Sequence, residues 1–253
     1  PMLIEMSSWV TKVQGKKLRP ILTLFAGKLF QNQLNYSHIS LAVAVEVMHT
    51  ATLVHDDVID NSRLRRGKAT ANDKWDNRYA VLLGDFLLSK SFEFMVSSGS
   101  IKALNSLSKV ISIVVDGEVR QLYVQNNALI DKEEYFKIIK SKTATLFAVA
   151  MEAGAIISGV SETNIELAYN FGENLGVAFQ IVDDILDYSA TSKVIGKNIG
   201  DDFFSGKVTL PLLLCLDNSV GEDKDYITNL VKNKSYEDRT QQDLDNVLSI
   251  FAK

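Results

Sequence analysis

Cysteine and proline are scarce in this chain of 253 residues, and each shortage limits what the protein can be. The single cysteine, Cys215, excludes an internal disulfide and is typical of a reducing compartment, so we expect a cytoplasmic protein. After the first residue only Pro20 and Pro211 can break a helix, which permits long helices. Positive charge is also in the minority. The net charge of −4 argues against a nucleic-acid-binding protein.

Several catalytic motifs are absent as well. The sequence has no glycine-rich nucleotide-binding loop, no Ser-His-Asp arrangement and no cluster of His and Cys, which argues against nucleotide chemistry, a catalytic triad and a zinc site. No N-terminal signal peptide is visible. The longest apolar stretch, residues 146–160, contains Glu152 and is too short for a comfortable membrane span, so we expect a buried helix there.

Apolar residues recur at helical spacing along most of the chain, and polar turn signals separate the segments. We expect a charged loop at 221–225. Because no βαβ alternation and no low-complexity linker is present, we predict one all-α domain of many long helices over residues 1–253. The predicted helices cover residues 21–30, 39–55, 79–95, 101–125, 132–158 and 165–188. The predicted turns lie at 61–62, 97–100, 159–161 and 189–192.

Two aspartate clusters of identical D-D-x-x-D spacing each end an apolar helical run. In a helix, positions i and i+4 share a face and i+1 lies beside them, so we expect three carboxylates of each cluster in one small volume. Like charges in apolar surroundings need a cation, and hard carboxylate oxygens suit Mg²⁺. We therefore expect the clusters to hold a diphosphate through magnesium, the alternative being two solvated acidic helix ends. The clusters are Asp56, Asp57, Asp60 and Asp183, Asp184, Asp187.

Basic side chains lie before, between and after the two acidic clusters in the sequence. Arginine offers a planar fork for phosphate oxygens and lysine a point charge, so the pattern indicates a site for two anionic groups. His49 lies seven residues before Asp56, on the same helix face, and we expect it to donate to phosphate rather than serve only as a core histidine. The basic candidates are Lys16, Arg19, Arg65, Arg66, Lys142, Lys197 and Lys207.

The order of these motifs resembles that of trans-isoprenyl diphosphate synthases. It reads Gly-Lys-x-x-Arg-Pro, His-x-x-x-x-x-His-Asp-Asp-x-x-Asp, Leu-Arg-Arg-Gly, Lys-Thr, Phe-Gln-x-x-Asp-Asp-x-x-Asp and Gly-Lys, between about residues 16 and 211. The resemblance implies mostly antiparallel helices around a central cavity, with the two Asp motifs facing each other across its mouth. It also implies a homodimer and, through a lipid product, transient contact with a membrane.

The same resemblance implies roles for single residues. Asp56, Asp60 and Asp183 would be the principal Mg²⁺ ligands, completed by Asp57, Asp184 and Asp187, with three ions when substrate is bound. Isopentenyl diphosphate would be held by Lys16, Arg19, His49 and Arg66. The allylic diphosphate would be held by Arg65, Lys142, Thr143, Gln180, Lys197 and Lys207.

The implied reaction is a magnesium-dependent, head-to-tail (1′–4) condensation of isopentenyl diphosphate with an allylic diphosphate. The allylic C–O bond ionises, the double bond of isopentenyl diphosphate attacks the cation, and the released diphosphate takes the proton. Metal ions and Lys or Arg stabilise the departing charge, so the chain needs no strong base.

Product length in the family depends on the helix turn below the first Asp cluster. Short-chain enzymes often close the tunnel there with an aromatic side chain, whereas this chain has Ala51 and Thr52, with Met48 deeper. We therefore expect a long, all-trans polyprenyl product and expect Ala51→Phe to shorten it. An aromatic side chain from another helix could set the floor instead; the candidates are Phe86, Phe92 and Phe94.

Three other functions remain possible at this point: a short-chain (farnesyl or geranylgeranyl) synthase, a non-catalytic subunit of a two-component synthase, and a metal-buffering protein. Non-catalytic subunits typically lack intact Asp motifs, and metal buffering leaves the basic residues without a purpose. Family members usually extend further at both ends, so we expect the ends of the family domain to lie outside this chain.

Overall fold

Helices make up most of the computed structural model, which describes residues 2–12, 15–125, 130–189 and 199–252. The helices are α1 (Met2–Thr11), α2 (Leu18–Phe30), α3 (Tyr36–Ile59), α4 (Ala71–Trp75), α5 (Asn77–Ser97), α6 (Ile101–Gln125), α7 (Lys132–Ile139), α8 (Thr145–Ile157), α9 (Glu162–Asp187), α10 (Asp201–Phe204), α11 (Leu210–Asn218), α12 (Gly221–Asn233) and α13 (Gln241–Phe251). A π-helical turn, Lys140–Ala144, separates α7 from α8, and a 3₁₀ turn, Tyr236–Asp238, precedes α13. Two short antiparallel strands, β1 (Leu64–Arg65) and β2 (Lys68–Ala69), form a hairpin.

The predicted helical character is confirmed, with two corrections. The predicted helix at 132–158 is interrupted by the π-turn, whose i→i+5 bonding adds one residue to the turn and shifts the faces of α7 and α8 relative to each other. The predicted charged loop at 221–225 is wrong, because these residues open α12. Its first turn contains Glu222 and Asp223, and acidic side chains there favour a helix through its dipole. Residues 190–192, part of a predicted turn, lie outside the described residues.

The chain divides into two compact units, residues 1–112 with 144–176 and residues 113–143 with 177–253. In the first unit α3 packs along α5, and α2 packs against α8. Helix α8 is buried along almost its whole length, so the buried helix expected in residues 146–160 is confirmed. In the second unit, α10 to α13 form their own apolar core around Phe203, Leu212 and Ile227. The prediction of one domain over residues 1–253 stays a prediction.

Helix α3 carries the first Asp cluster in its last turn and at its C-terminal cap. It begins at Asn35, whose side chain accepts a hydrogen bond from the His38 backbone N–H (3.2 Å), while His38 Nδ1 accepts from the Asn35 N–H (3.3 Å). By length and composition α3 is the one described helix that could cross a membrane, but half of its most apolar window is buried inside the protein. Core helices pass the same test, so the finding does not make α3 a membrane span.

Helix α1 holds the β-hairpin that follows the first Asp cluster. The Trp9 indole N–H donates to the carbonyl of Ala69 at 3.0 Å, and its ring meets that of Trp75 edge to face. The Lys74 ammonium lies 3.5 Å from the Trp9 ring centroid, a cation–π contact. The hairpin, which contains Arg65 and Arg66, is therefore fixed by aromatic contacts as well as by its own two strands.

The start of α3 can be tested through its cap. We expect Asn35→Ala to lower the free energy of unfolding by about 1 kcal/mol, because the backbone N–H of His38 loses its acceptor. Asn35→Ser should restore most of the loss, since serine is also a good cap. Asn32→Ala, at an exposed asparagine of the preceding loop, is the matched control. The measurement is urea unfolding followed by circular dichroism, and equal stability of the two alanine variants would contradict the capping role.

Candidate functional site

The three carboxylates of the first Asp cluster have different surroundings. Asp56 is half-buried and Asp60, the helix cap, is exposed. Asp57 is only 4% exposed, and its carboxylate is bound by the Arg65 guanidinium: Nε lies 2.9 Å from Oδ1 and 3.1 Å from Oδ2. Burial raises the pKa of Asp57, although its bond to Arg65 acts in the opposite direction. Asp57 is predicted as a metal ligand, and in the structure its carboxylate is a partner of Arg65.

The hairpin turn determines where the two predicted arginines lie. Arg65 pairs with Lys68 across the strands, which leaves Arg66 and Gly67 as a two-residue loop with φ of 52° and 73°. Positive φ at both loop residues matches the right-handed twist of a hairpin, and it is unusual for an arginine. The conformation directs two consecutive guanidinium groups to different partners, because Arg65 binds Asp57 while Arg66 lies against Gly15.

Arg19, His49 and Arg66 form one cationic cluster with the Gly15 backbone. A Cβ on Gly15 would lie 2.2 Å from Arg66 Nη1, so the guanidinium occupies the space that a side chain would fill. Arg19 Nη1 lies 2.8 Å from His49 Nε2, and the Arg19 guanidinium stacks 4.5 Å from the centroid of the Phe147 ring. These three predicted residues are brought together by α2, α3 and the hairpin.

Burial sets the protonation of this cluster. It lowers the pKa of Arg19 to about 10, so Arg19 remains charged at neutral pH. Burial, and then Arg19 and its cationic neighbours, lower the pKa of His49 well below 6.5. Since arginine can only donate, the neutral His49 accepts through Nε2 and carries its proton on Nδ1. His49 is therefore a neutral imidazole with an Nδ1–H donor beside two arginines.

Lys16 is exposed at the start of this region. The neighbouring Lys17, in a left-handed conformation, pairs with Glu46 of α3 at 2.6 Å. That pair fixes the entry of the chain into α2.

The second Asp cluster is embedded in hydrogen bonds within its own unit. Asp184 is 2% exposed and accepts from the Tyr135 hydroxyl (2.6 Å) and from Gln180 Nε2 (2.7 Å), while Gln180 Oε1 accepts from the Thr143 hydroxyl (2.8 Å). Burial raises the pKa of Asp184 to about 6. The structure thus links two predicted diphosphate-binding residues, Thr143 and Gln180, to an aspartate of the cluster.

Asp183 is half-buried, and Asp187, the last residue of α9, is buried. The Asp187 carboxylate accepts from the Asp202 backbone N–H at 3.0 Å, at the start of α10, and the Asp187 carbonyl accepts from the Gly200 N–H. Lys207 Nζ lies 4.0 Å from Asp202 Oδ1. Lys207 therefore lies beside Asp202, whose backbone N–H is bound by Asp187.

Lys142 lies in the π-turn and binds two acceptors of α6, Glu118 and Gln121. Lys197 lies outside the described residues, so its prediction has no structural counterpart here.

The carboxylate oxygens of the two Asp clusters fit a divalent cation that prefers oxygen ligands. Within residues 2–12, 15–125, 130–189 and 199–252, no three or more His, Cys, Asp or Glu side chains are arranged to hold a metal on their own. Mg²⁺ typically takes one or two carboxylates and completes its shell with water and substrate phosphate, so a preformed protein cage is not required. Asp56 and Asp60, four apart on α3, and Asp183 on α9 offer such oxygens.

The predicted chain-length residues do not share one environment. Ala51 is 1% exposed and packs in the core formed with α5, and Met48 is equally buried. Thr52 is half-buried and lies on the face of Asp56, four residues later. Ala51 instead shares its face with His55, whose Nε2 lies 3.1 Å from the Val81 carbonyl of α5.

Tyr135, Glu118 and Gln121 are site neighbours that the sequence motifs did not identify. The sequence gives no distinctive signal for Glu118 and Gln121, which lie three apart in α6 among other charged residues such as Asp116 and Arg120. Tyr135 has no such signal either, because its contact with Asp184 joins residues 49 apart in the chain. The opposition of the two Asp clusters across a cavity stays a prediction.

Comparison with known proteins identifies the family of the chain. The polyprenyl synthetase family model matches residues 1–249. The chain is 39% identical to the octaprenyl diphosphate synthase of Escherichia coli (strain K12) over 228 residues, 90% of this chain and 70% of that protein.

Two solved structures are similar to it. A decaprenyl diphosphate synthase from Rhodobacter capsulatus has a TM-score of 0.91 and 38% identity, covering 99% of this chain and 76% of that one. A polyprenyl synthase from Caulobacter crescentus CB15, complexed with calcium and isoprenyl diphosphate, has a TM-score of 0.87 and 41% identity, covering 94% and 72%. The predicted fold class is confirmed.

The neutral state of His49 predicts a pH dependence of stability. Below pH 6.5 the unfolded chain protonates this histidine and the folded chain does not, so stability falls as pH falls, by up to about 1.4 kcal/mol per pH unit. His49→Gln, which keeps an acceptor for Arg19, should flatten part of this slope in urea unfolding between pH 7 and pH 5. His55→Gln is the control. An unchanged slope in His49→Gln would contradict a neutral His49.

Proposed function

This chain belongs to the polyprenyl synthetase family and is a trans-polyprenyl diphosphate synthase of the long-chain class, and from this premise we propose how its residues perform the reaction. The substrates are isopentenyl diphosphate and an allylic diphosphate, joined head to tail (1′–4). The observation that carries the residue assignment is the Arg19–His49 pair with Arg66 beside it, a dense cation cluster on the helix that ends in Asp56 and Asp60.

The isopentenyl diphosphate site comprises Lys16, Arg19, His49 and Arg66. The guanidinium groups of Arg19 and Arg66 donate hydrogen bonds to the diphosphate oxygens, and the exposed ammonium of Lys16 contributes a positive charge. His49 donates through Nδ1–H, because Arg19 already occupies Nε2. A neutral donor held between arginines adds a directed hydrogen bond without a further repulsive charge.

The allylic diphosphate site comprises Arg65, Lys142, Thr143, Gln180, Lys197 and Lys207. Of these, Arg65 is held by Asp57, Lys142 by Glu118 and Gln121, and Thr143 by Gln180. The side chains of Arg65, Lys142 and Thr143 are therefore fixed by protein partners before substrate arrives, which reduces the reorganisation that binding requires.

Magnesium would be held by Asp56, Asp60 and Asp183, with Asp57, Asp184 and Asp187 as outer partners, and three ions would be present with substrate bound. When bound, the metal supplies electrostatic stabilisation of the departing diphosphate. A relative solved with calcium and isoprenyl diphosphate supports a divalent ion beside a diphosphate in this family.

The reaction then proceeds with little acid–base chemistry from the protein. The allylic C–O bond breaks and its electron pair leaves with the diphosphate, whose charge Arg65, Lys142 and Lys197 stabilise. The double bond of isopentenyl diphosphate attacks the allylic carbon to form the new C–C bond. The adjacent C–H proton passes to the released diphosphate, which restores a double bond. The apolar surroundings must exclude water, which would otherwise capture the cation.

The alternatives named above are less well supported. A non-catalytic subunit or a metal buffer does not account for two intact Asp clusters surrounded by paired basic side chains. Relatives that make long-chain products favour a long-chain over a short-chain enzyme. We further propose a homodimer, a cytoplasmic location and transient contact of the lipid product with a membrane, by analogy with the family.

Loss of one carboxylate from either cluster should abolish most turnover. We expect Asp56→Ala and Asp183→Ala each to lower kcat by about a hundredfold or more, because oxygen ligands of the metal are removed, while helical content is unchanged. The assay contains Mg²⁺, isopentenyl diphosphate and farnesyl diphosphate, with products sized by chromatography. Asp225→Ala, at an exposed aspartate, is the control. Wild-type turnover in either cluster variant would refute the metal assignment.

Product length should depend on Thr52 more than on Ala51. Thr52→Phe places an aromatic ring on the face of Asp56 and should shorten the product. Ala51→Phe overpacks the core against α5 and should mainly lower stability, by about 1–3 kcal/mol. Product sizing and urea unfolding of both variants measure the two effects. Shorter products from Ala51→Phe but not from Thr52→Phe would show that the tunnel lies on the other face of α3.

A further inference from the structure

The ammonium group of Lys142 is bound by two acceptors from one face of α6. Glu118 Oε2 lies 2.5 Å from Lys142 Nζ, and Gln121 Oε1 lies 2.8 Å from it. Residues three apart in a helix are neighbours on its surface, so the two acceptors approach the ammonium from the same helix. All three residues belong to the second compact unit.

This contact differs from a surface ion pair in its burial. The Glu118 residue is 8% exposed, and the Lys142 side chain is 23% exposed. A carboxylate removed from water is costly unless it is paired, so its partner and geometry are strongly specified. An exposed pair such as Lys90 with Glu93 on α5 has no such constraint.

The backbone brings α6 and the π-turn close enough for this contact. Gly117 precedes Glu118, and a Cβ there would lie 2.8 Å from Ser141 Cβ and 2.9 Å from the Lys142 backbone nitrogen. The π-turn sends consecutive side chains to different helices, Lys142 to α6 and Thr143 to Gln180 on α9. A regular helix would change the direction of both side chains.

We propose that Glu118 and Gln121 are positioning residues that hold the Lys142 ammonium in place for the allylic diphosphate. The inference rests on the proposed function of Lys142. Gln121 Oε1 accepts one hydrogen of the ammonium, and the Glu118 carboxylate forms an ion pair with it from the same helix, so the ammonium is held at two points. The long lysine side chain is then ordered before the substrate binds, which favours a charge aligned with the departing diphosphate.

Charge and orientation predict opposite results for one substitution. Glu118 reduces the net positive charge near the diphosphate, so if charge alone mattered, Glu118→Gln would raise activity and Glu118→Ala would raise it equally. If orientation matters, Glu118→Ala loses an acceptor and should lower kcat/KM for the allylic substrate by about 10–100-fold. Glu118→Gln keeps an oxygen acceptor and should recover most of that loss.

The experiment is steady-state kinetics with each substrate varied in turn. We expect Glu118→Ala and Gln121→Ala to lower kcat and raise KM for farnesyl diphosphate while KM for isopentenyl diphosphate changes less than about twofold. Arg120→Met is the matched control: Arg120 lies on α6 and binds Glu134 at 2.9 Å, with no contact to Lys142. Equal losses for both substrates, or a loss in Arg120→Met as large as in Glu118→Ala, would overturn the proposal.

A double-mutant cycle separates this inference from the function on which it rests. In a Lys142→Met background, Glu118→Ala and Gln121→Ala should have almost no further effect, because the group that they position is gone. If they cost the same factor again, the positioning role fails while Lys142 remains in the site. If Lys142→Met alone leaves kcat/KM for farnesyl diphosphate unchanged, the proposed function of Lys142 fails instead. Should Glu118→Ala not fold, Gln121→Ala, measured alone and with Lys142→Met, still decides the result.

Discussion

A few charged groups of the candidate site are buried, where an unpaired charge is costly, and their hydrogen bonds and ion pairs within each compact unit organise the site. Asp57 is bound by Arg65, Lys142 by Glu118, and Asp184 by neutral donors from Tyr135 and Gln180. A single unpaired charge at such a position would be strongly destabilising. The partners therefore do two things at once: they make the charges compatible with folding, and they fix the direction in which each group points.

Neutral hydrogen-bonding groups separate the charges that would otherwise repel. His49 lies among arginines and stays neutral because burial and the neighbouring charges disfavour its protonated form. Asp184, with a pKa raised to about 6, is held by a hydroxyl and an amide rather than by a cation. His49 therefore adds an oriented hydrogen-bonding group without adding a charge, and Asp184 is oriented by its neutral donors without a cation.

Sequence reasoning predicted the helices and the clusters because both depend on local spacing. Periodicity located α3, α6 and α9 closely, and the repeated D-D-x-x-D spacing identified both helix ends. Sequence reasoning failed where a contact joins residues far apart in the chain, and where one sequence pattern is compatible with two different local structures. The π-turn interrupts a stretch that the sequence predicts as one helix, Tyr135 contacts Asp184 across 49 residues, and the acidic start of α12 has the composition of a loop.

Ala51 and Thr52 are neighbours in the chain, but they lie on different faces of helix α3. Both lie one turn before the first Asp cluster, and by distance along the chain they are interchangeable. Rotation by about 100° per residue places Thr52 below Asp56 and turns Ala51, with His55, toward α5. Ala51 packs in the core against α5, so a small side chain there suits helix packing, and its role in chain length stays a prediction. Thr52 lies on the face of Asp56, where a substrate chain extending from Asp56 would run.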